Sequence, residues 1–152
     1  MVDSAFLCKT SPFGMVEIWR KGLTDRYFHL MHDIKNLITN VGKAEFANIQ
    51  IAAGTAPSHA AVGTGVTAAN ILDTTLGTEK YRATATRSRT TLTVANDTAY
   101  YDTTINVDAT WDITEAGLLN AASSGILFAR QVFTAVPVSN GVVLKVIWKL
   151  QN

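Results

Sequence analysis

The sequence predicts a mainly β protein, a jelly-roll-like antiparallel β-sandwich with one or two short helices, on three observations. Threonine, β-branched and suited to a pleated surface, is concentrated between Thr84 and Thr114. The last third alternates: Leu144, Val146, Trp148 and Leu150 fall on one face of a strand, with Lys145 and Lys149 on the other. Turn signals, Ser123-Ser124-Gly125 and Pro137 to Gly141 with its Asn140-Gly141 step, separate short apolar runs as in all-β domains. No linker divides the 152 residues, so one domain over 1–152 is expected, with an N-terminal strand or arm over 1–34 and a core over 35–150.

In chain order, Met15 to Lys21 alternates as a strand, with Val16 and Ile18 opposite Glu17 and Trp19. Arg26 to Leu30 is expected to return as its hairpin partner through Gly22 to Asp25. Gly42 to Ile51 reads as a short helix, because Ala44, Ala47 and Ile51, and again Phe46 and Ile49, have helical spacing. The Gly- and Ala-rich stretch 52–65 offers one strand, His59 to Val62, and Asn70 to Leu76 a short helical turn. Tyr81 to Ser88 alternates bulky or charged residues with small ones. Asn96-Asp97 then interrupts a Thr-rich run, with Thr91 to Ala95 before it and an arm from Ala99 to Thr110 after it, which is a hairpin signal. Along that arm Ile105, Val107, Ala109 and Trp111 alternate with Thr104, Asn106, Asp108 and Thr110. Ile126 to Phe133 and Val142 to Leu150 are the last two strands, and Trp111 and Trp148 are assigned to the core.

Composition bears on function. Charged residues make up 16% of the chain, against roughly 25% in an ordinary soluble domain, and neutral surface is often hidden in an assembly. The net charge of +1 comes from 13 basic and 12 acidic residues dispersed along the chain. Lys80, Arg82, Arg87 and Arg89 form the one basic concentration. On an extended strand the first two share one face and the last two the other, which suits a solvated strand or a contact to an acidic protein surface. Phosphate binding needs several coordinated cations, so nucleic acid is not expected. The single cysteine, Cys8, permits neither an intrachain disulfide nor a cysteine-based zinc site and is expected to be an apolar filler. Met1 to Leu7 carries no signal-peptide pattern, and no run approaches the ~18 apolar residues of a membrane span, so no membrane partner is expected.

The chemical motifs fail on inspection. Gly63-Thr64-Gly65 lacks the lysine of a phosphate loop and the third glycine of a dinucleotide fold, and is expected to be a turn where glycine permits positive φ. His29, His32 and Asp33 would share one side of a helix and could hold a metal there, but a strand removes that geometry. His59 is read as structural. No nucleophile, base and orienting acid stand in a recognisable arrangement. Glu115, followed by Ala116-Gly117-Leu118, reads as a buried, hydrogen-bonded carboxylate rather than a general acid. The chain is therefore expected not to be an enzyme, with no catalytic residue, metal ligand or cofactor assigned. Aromatic and arginine side chains dominate interface energetics, which makes Trp19, Arg20, Tyr27 and Phe28 the leading interface candidates, with Arg87 and Arg89. The alternative for Trp19 and Phe28 is the core. Tyr100 and Tyr101 suit either an exposed aromatic pocket or strand packing.

Several stretches occur in a familiar order. Lys35-Asn36-Leu37-Ile38-Thr39-Asn40-Val41-Gly42 leads into the helix, and Val62-Gly63-Thr64-Gly65 ends a strand. Asp73-Thr74-Thr75-Leu76-Gly77-Thr78-Glu79 follows. Ile113-Thr114-Glu115-Ala116-Gly117-Leu118 and Ala129-Arg130-Gln131-Val132-Phe133 are the most specific segments. Over residues 35–150 the chain resembles a group of small tailed-phage virion structural proteins, whose modules serve as capsid decoration (cement) proteins and in tail or fibre proteins. The resemblance implies a homotrimeric decoration protein on the capsid exterior, made in the host cytoplasm and bound to the major capsid protein. The alternative it implies is a tail, collar or fibre component with a host-receptor or glycan-binding role. The first 34 residues depart from the shared core.

Overall fold

Period-two alternation builds strands wherever one face is buried. In the computed structural model, which describes residues 13–151, it produces ten strands around a single helix among the described residues. They are β1 (Phe13–Lys21), β2 (His29–Lys35), β3 (Leu37–Ile38), α1 (Asn40–Gln50), β4 (His59–Gly63), β5 (Glu79–Thr84), β6 (Thr86–Thr90), β7 (Thr98–Asn106), β8 (Trp111–Leu119), β9 (Leu127–Val138) and β10 (Val143–Gln151). Cys8 lies outside the described residues.

The strands form two five-stranded antiparallel sheets, ordered β2-β1-β10-β7-β6 and β3-β9-β8-β4-β5, here called the first and second sheet. Pairings nest about the β6–β7 hairpin, with β4 on β8, β3 on β9 and β1 on β10. This is the wrapped antiparallel connectivity of the expected jelly-roll-like sandwich. The two inner faces share one core. Val16, Ile18, Val146, Trp148 and Ile105 come from the first sheet, and Val62, Ile113, Leu118 and Phe128 from the second. Trp148 is fully buried, at the centre of the row Val16–Trp148–Tyr101.

The helix begins where the sequence places it, within two residues. Thr39 caps it, its Oγ1 accepting from the Gly42 N–H at 3.0 Å while donating to the Leu127 carbonyl. A side chain at Gly42 would run into the Phe128 backbone, so the helix lies directly against β9. Phe46 meets Phe128 edge-on at 4.8 Å between ring centroids.

Several expectations need correction. The turn expected over Pro137 to Gly141 begins only after Val138, because Pro137 and Val138 still pair with Asp112 and Trp111 as the end of β9. Arg26 to Phe28 lie in the β1–β2 loop, and the returning strand starts at His29, because a turn held by Asp25 N–H to the Gly22 carbonyl (3.2 Å) and Gly22 N–H to Asp25 Oδ2 (2.8 Å) lengthens the connection. Asn70 to Leu76 form no helix but a hydrogen-bonded turn, Asp73 N–H to Asn70 carbonyl at 3.0 Å. Thr91 to Ala95 belong to the β6–β7 hairpin loop rather than to a strand: the Asp97 carboxylate accepts from the N–H groups of Leu92, Thr93 and Val94, drawing the backbone into a turn. The arm read through Ala99 to Thr110 breaks after Asn106, with Trp111 opening β8 in the other sheet. There Trp111 is half-buried and packs against the edge of the core, its Nε1 donating to the Tyr81 hydroxyl at 3.2 Å while Lys80 Nζ stands 3.8 Å over its ring.

Candidate interaction face

The outer faces of the two sheets are treated differently. Across the second sheet runs a long loop, residues 64–78, pinned from beneath by a carboxylate. Glu115 on β8 points out of the sandwich yet is fully buried. Its Oε1 accepts from Gly65 N–H at 2.9 Å and Thr78 N–H at 2.7 Å, and its Oε2 from Gly77 N–H at 2.9 Å and Arg130 Nε at 3.0 Å. Arg130, 2% exposed on neighbouring β9, extends the network to Asp73 at 2.7 Å and to the Thr67 carbonyl at 3.0 Å. A buried carboxylate is tolerated only when paired and hydrogen-bonded, and here three backbone N–H groups and a guanidinium meet it. Burial pushes the Glu115 carboxyl up, but the bonds from Thr78, Gly77, Arg130 and Gly65 outweigh that and hold it below its ordinary value.

The glycines around this carboxylate have a different purpose from the one expected of them. Among the described residues positive φ at glycine occurs at Gly125 and Gly141, not at Gly63 or Gly65. A Cβ on Gly65 would stand 2.5 Å from Glu115 Oε1, and one on Gly63 2.6 Å from the same atom. The Gly-Thr-Gly step is therefore a close-approach site for a carboxylate belonging to the chain itself. Beneath the loop, Leu76 joins Ala61, Leu119 and Leu127 in a second small apolar cluster. An open cleft of about 330 Å³ remains at the loop's edge, lined by Leu37, Val66, Ala68, Ala69, Gln131 and Val132. Gln131 supplies its one polar side chain.

The first sheet carries no such cover among the described residues. Its strand registers lay out charged rows. Asp33, Glu17, Ile147 and Asp102 form one row across β2, β1, β10 and β7. Lys35, Met15, Lys149 and Tyr100 form the row on one side, and Trp19, Lys145 and Thr104 the row on the other. Within the face Lys149 pairs with Glu17, Lys145 Nζ lies 3.1 Å from Asp102, and Trp19 Nε1 donates to Glu17 at 2.9 Å. Ile147 alternates outward with Lys145 and Lys149 yet is only 6% exposed. Burial, then the Asp102 and Glu17 charges, push the Tyr100 hydroxyl up.

Of the six interface candidates, the structure brings together Trp19 and Phe28. Phe28 leaves the β1–β2 loop to lie 5.6 Å, ring centroid to Nζ, from Lys145, and neither aromatic is in the core. Tyr27 is 71% exposed in the same loop. Arg20 is separated from Trp19, since it pairs with Leu144 and so falls on the inner side of the sheet. Arg87 and Arg89 sit on the far edge strand β6, opposite Tyr101 and Ala99, and thus also on the inward side at the rim. Inward-pointing charge on an edge strand discourages strand addition. Lys80 and Arg82, on β5, belong to the other sheet. Tyr100 and Tyr101 face opposite ways and build no common pocket.

Two of the three histidines, His32 and His59, have hydrogen-bond partners, and His29 lies 3.9 Å from Asp25. His32 Nε2 bonds the Thr134 carbonyl at 2.8 Å, and His59 lies between Ser58 Oγ and Thr84 Oγ1 at 2.9 and 3.3 Å. No group of three metal-ligating side chains comes together among the described residues. Sequence reasoning found Glu115 but missed Arg130 and Asp73. The signal was present: a charge within Leu127-Phe128-Ala129-Arg130, a run otherwise apolar, requires a buried partner. Comparison with family models, curated proteins and solved structures returns no match for this chain.

Proposed function

We propose that this chain is a non-enzymatic structural subunit of a tailed-phage virion, a decoration (cement) protein on the capsid exterior that binds the major capsid protein and copies of itself. The observation that supports it is the contrast between the sandwich's two faces. One is closed by a pinned loop, and the other, uncovered among the described residues, is a sheet face where Trp19 and Phe28 stand among charged rows. Such a surface suits a protein neighbour, whose interfaces join an apolar centre to a polar surround, better than a small molecule, which favours a concave site. On a shell of repeated subunits many modest contacts add through multivalency, and preferential binding to the assembled shell raises its stability by mass action. The resemblance over residues 35–150 supplies the virion setting. The proposal involves no nucleic acid, membrane or cofactor.

Purified protein added to capsids lacking it tests this reading. Saturable binding at many copies per particle, with a raised capsid melting temperature, is the expected result. No shell binding overturns it, and a few copies confined to the tail vertex would move the assignment to a tail, collar or fibre component.

A further inference from the structure

The outer face of the first sheet, uncovered among the described residues, has a charge pattern that fits a particular partner. Its acidic row, Asp33, Glu17 and Asp102, lies between basic rows carrying Lys35 and Lys149 on one side and Lys145 on the other. Successive rows on one face of a sheet are two residues apart, or about 7 Å. A two-fold axis lying in the interface and running across the strands reverses the order of the rows. If that axis falls between the acidic row and a basic neighbour, each copy's acidic row meets the other copy's basic row. An axis parallel to the strands would instead set like rows against each other.

We infer that the face is covered by a second copy of this chain, packed sheet to sheet about such an axis. The inference deepens the adhesive reading by naming what covers the face, and it concerns self-association separately from the shell. Five strands at ~4.8 Å and strands of about 30 Å give on the order of 600 Å² per copy once the shorter edge strands are allowed for, which reaches the lower range of stable interfaces. Trp19 and Phe28, beside Lys145 at one end of the face, supply the apolar part. Opposed rows fix the register, since like-charge juxtaposition disfavours every in-row alignment. This two-fold contact differs from the three-fold arrangement implied by the resemblance, because a face that pairs with itself closes at two copies.

Sedimentation velocity and native mass spectrometry of the full chain, at low and high salt, test the inference. The expected species is a dimer whose dissociation constant rises with ionic strength. Exchanging the pair, Glu17→Lys with Lys149→Glu, preserves the ion pair inside each copy but mixes the sign of both rows, and should weaken the dimer roughly tenfold or more. Trp19→Ser should weaken it comparably. A monomer at low salt, a trimer, or a dimer indifferent to both variants would overturn the assignment. A dimer that behaves as expected but does not bind capsids would remove the decoration reading and leave this one standing.

Discussion

Glu115 shows how much one side chain can organise. Its carboxylate is desolvated, so its stability depends on the three backbone N–H groups and the guanidinium that converge on it. Glu115→Gln leaves Arg130 buried with only Asp73 as a charged partner. Breaking a buried pair in this way costs about 3–5 kcal/mol. For a chain of this size that should lower the melting temperature by on the order of 10 °C, as scanning calorimetry would show. An unchanged melting temperature would mean that the loop holds without its pin. Gly65→Ala tests the same contact from the other side. The new Cβ, 2.5 Å from Glu115 Oε1, forces the loop to lift. The Gly77 and Thr78 amides should then exchange with solvent roughly tenfold faster or more, since exchange reports local opening. The carboxylate itself was legible in the sequence, from one acid beside Ala116-Gly117-Leu118. That Arg130 needs a buried partner was legible too, but not that the partner is Glu115, 15 positions away along the chain, nor that Asp73 completes the network.

At the scale of elements, α1 is held by its cap and by its close approach to β9. Thr39 is fully buried and bonds both the helix and the Leu127 carbonyl. Thr39→Ala should therefore cost about 1–2 kcal/mol, the upper part of the range for a lost cap, read as a lower urea midpoint at unchanged slope. Strand boundaries were legible where a strand keeps to one sheet, as β1, β4 and β10 do. They were not where the chain turns a corner between sheets. Tyr81, Ala83 and Ala85 point inward up to the end of β5, and Arg87 continues the same phase in β6. A crossing that keeps the inward side inward leaves the alternation undisturbed, so the pattern cannot show that the partner strands have changed. The passage from β7 through Val107 to β8 hid its corner in the same way.

The whole molecule should respond to acid in one direction. In Glu115 and Asp73 burial raises the carboxyl, but hydrogen bonds, from Thr78 and Gly77 and from Asn70 and Arg130 respectively, more than offset it. In Asp97 the N–H of Leu92 leads, followed by Thr93 and Val94, and in Glu45 the N–H of Thr55 leads, followed by Asn48. All four are held below their ordinary values in the folded state. Their contribution to stability is therefore fully present above the unfolded carboxylate range of about 4, and is lost as pH falls through the lower folded values. Melting temperature followed against pH should stay level from about pH 5 to neutrality and drop below about pH 4. The drop should be shallower in Glu115→Gln, and a melting temperature that rises on acidification would contradict the account. By itself the sequence determined the class of the fold, because alternation and turn residues report which side of each strand is buried, and burial is a local demand on the chain. It also determined that Glu115 is buried and hydrogen-bonded. Only the tertiary structure decided which strands pair, that Trp19 and Phe28 share an open face while Arg20 turns inward, and that the charges form opposed rows. Rows run across strands far apart in sequence, and their order is set by sheet register, which no local pattern contains.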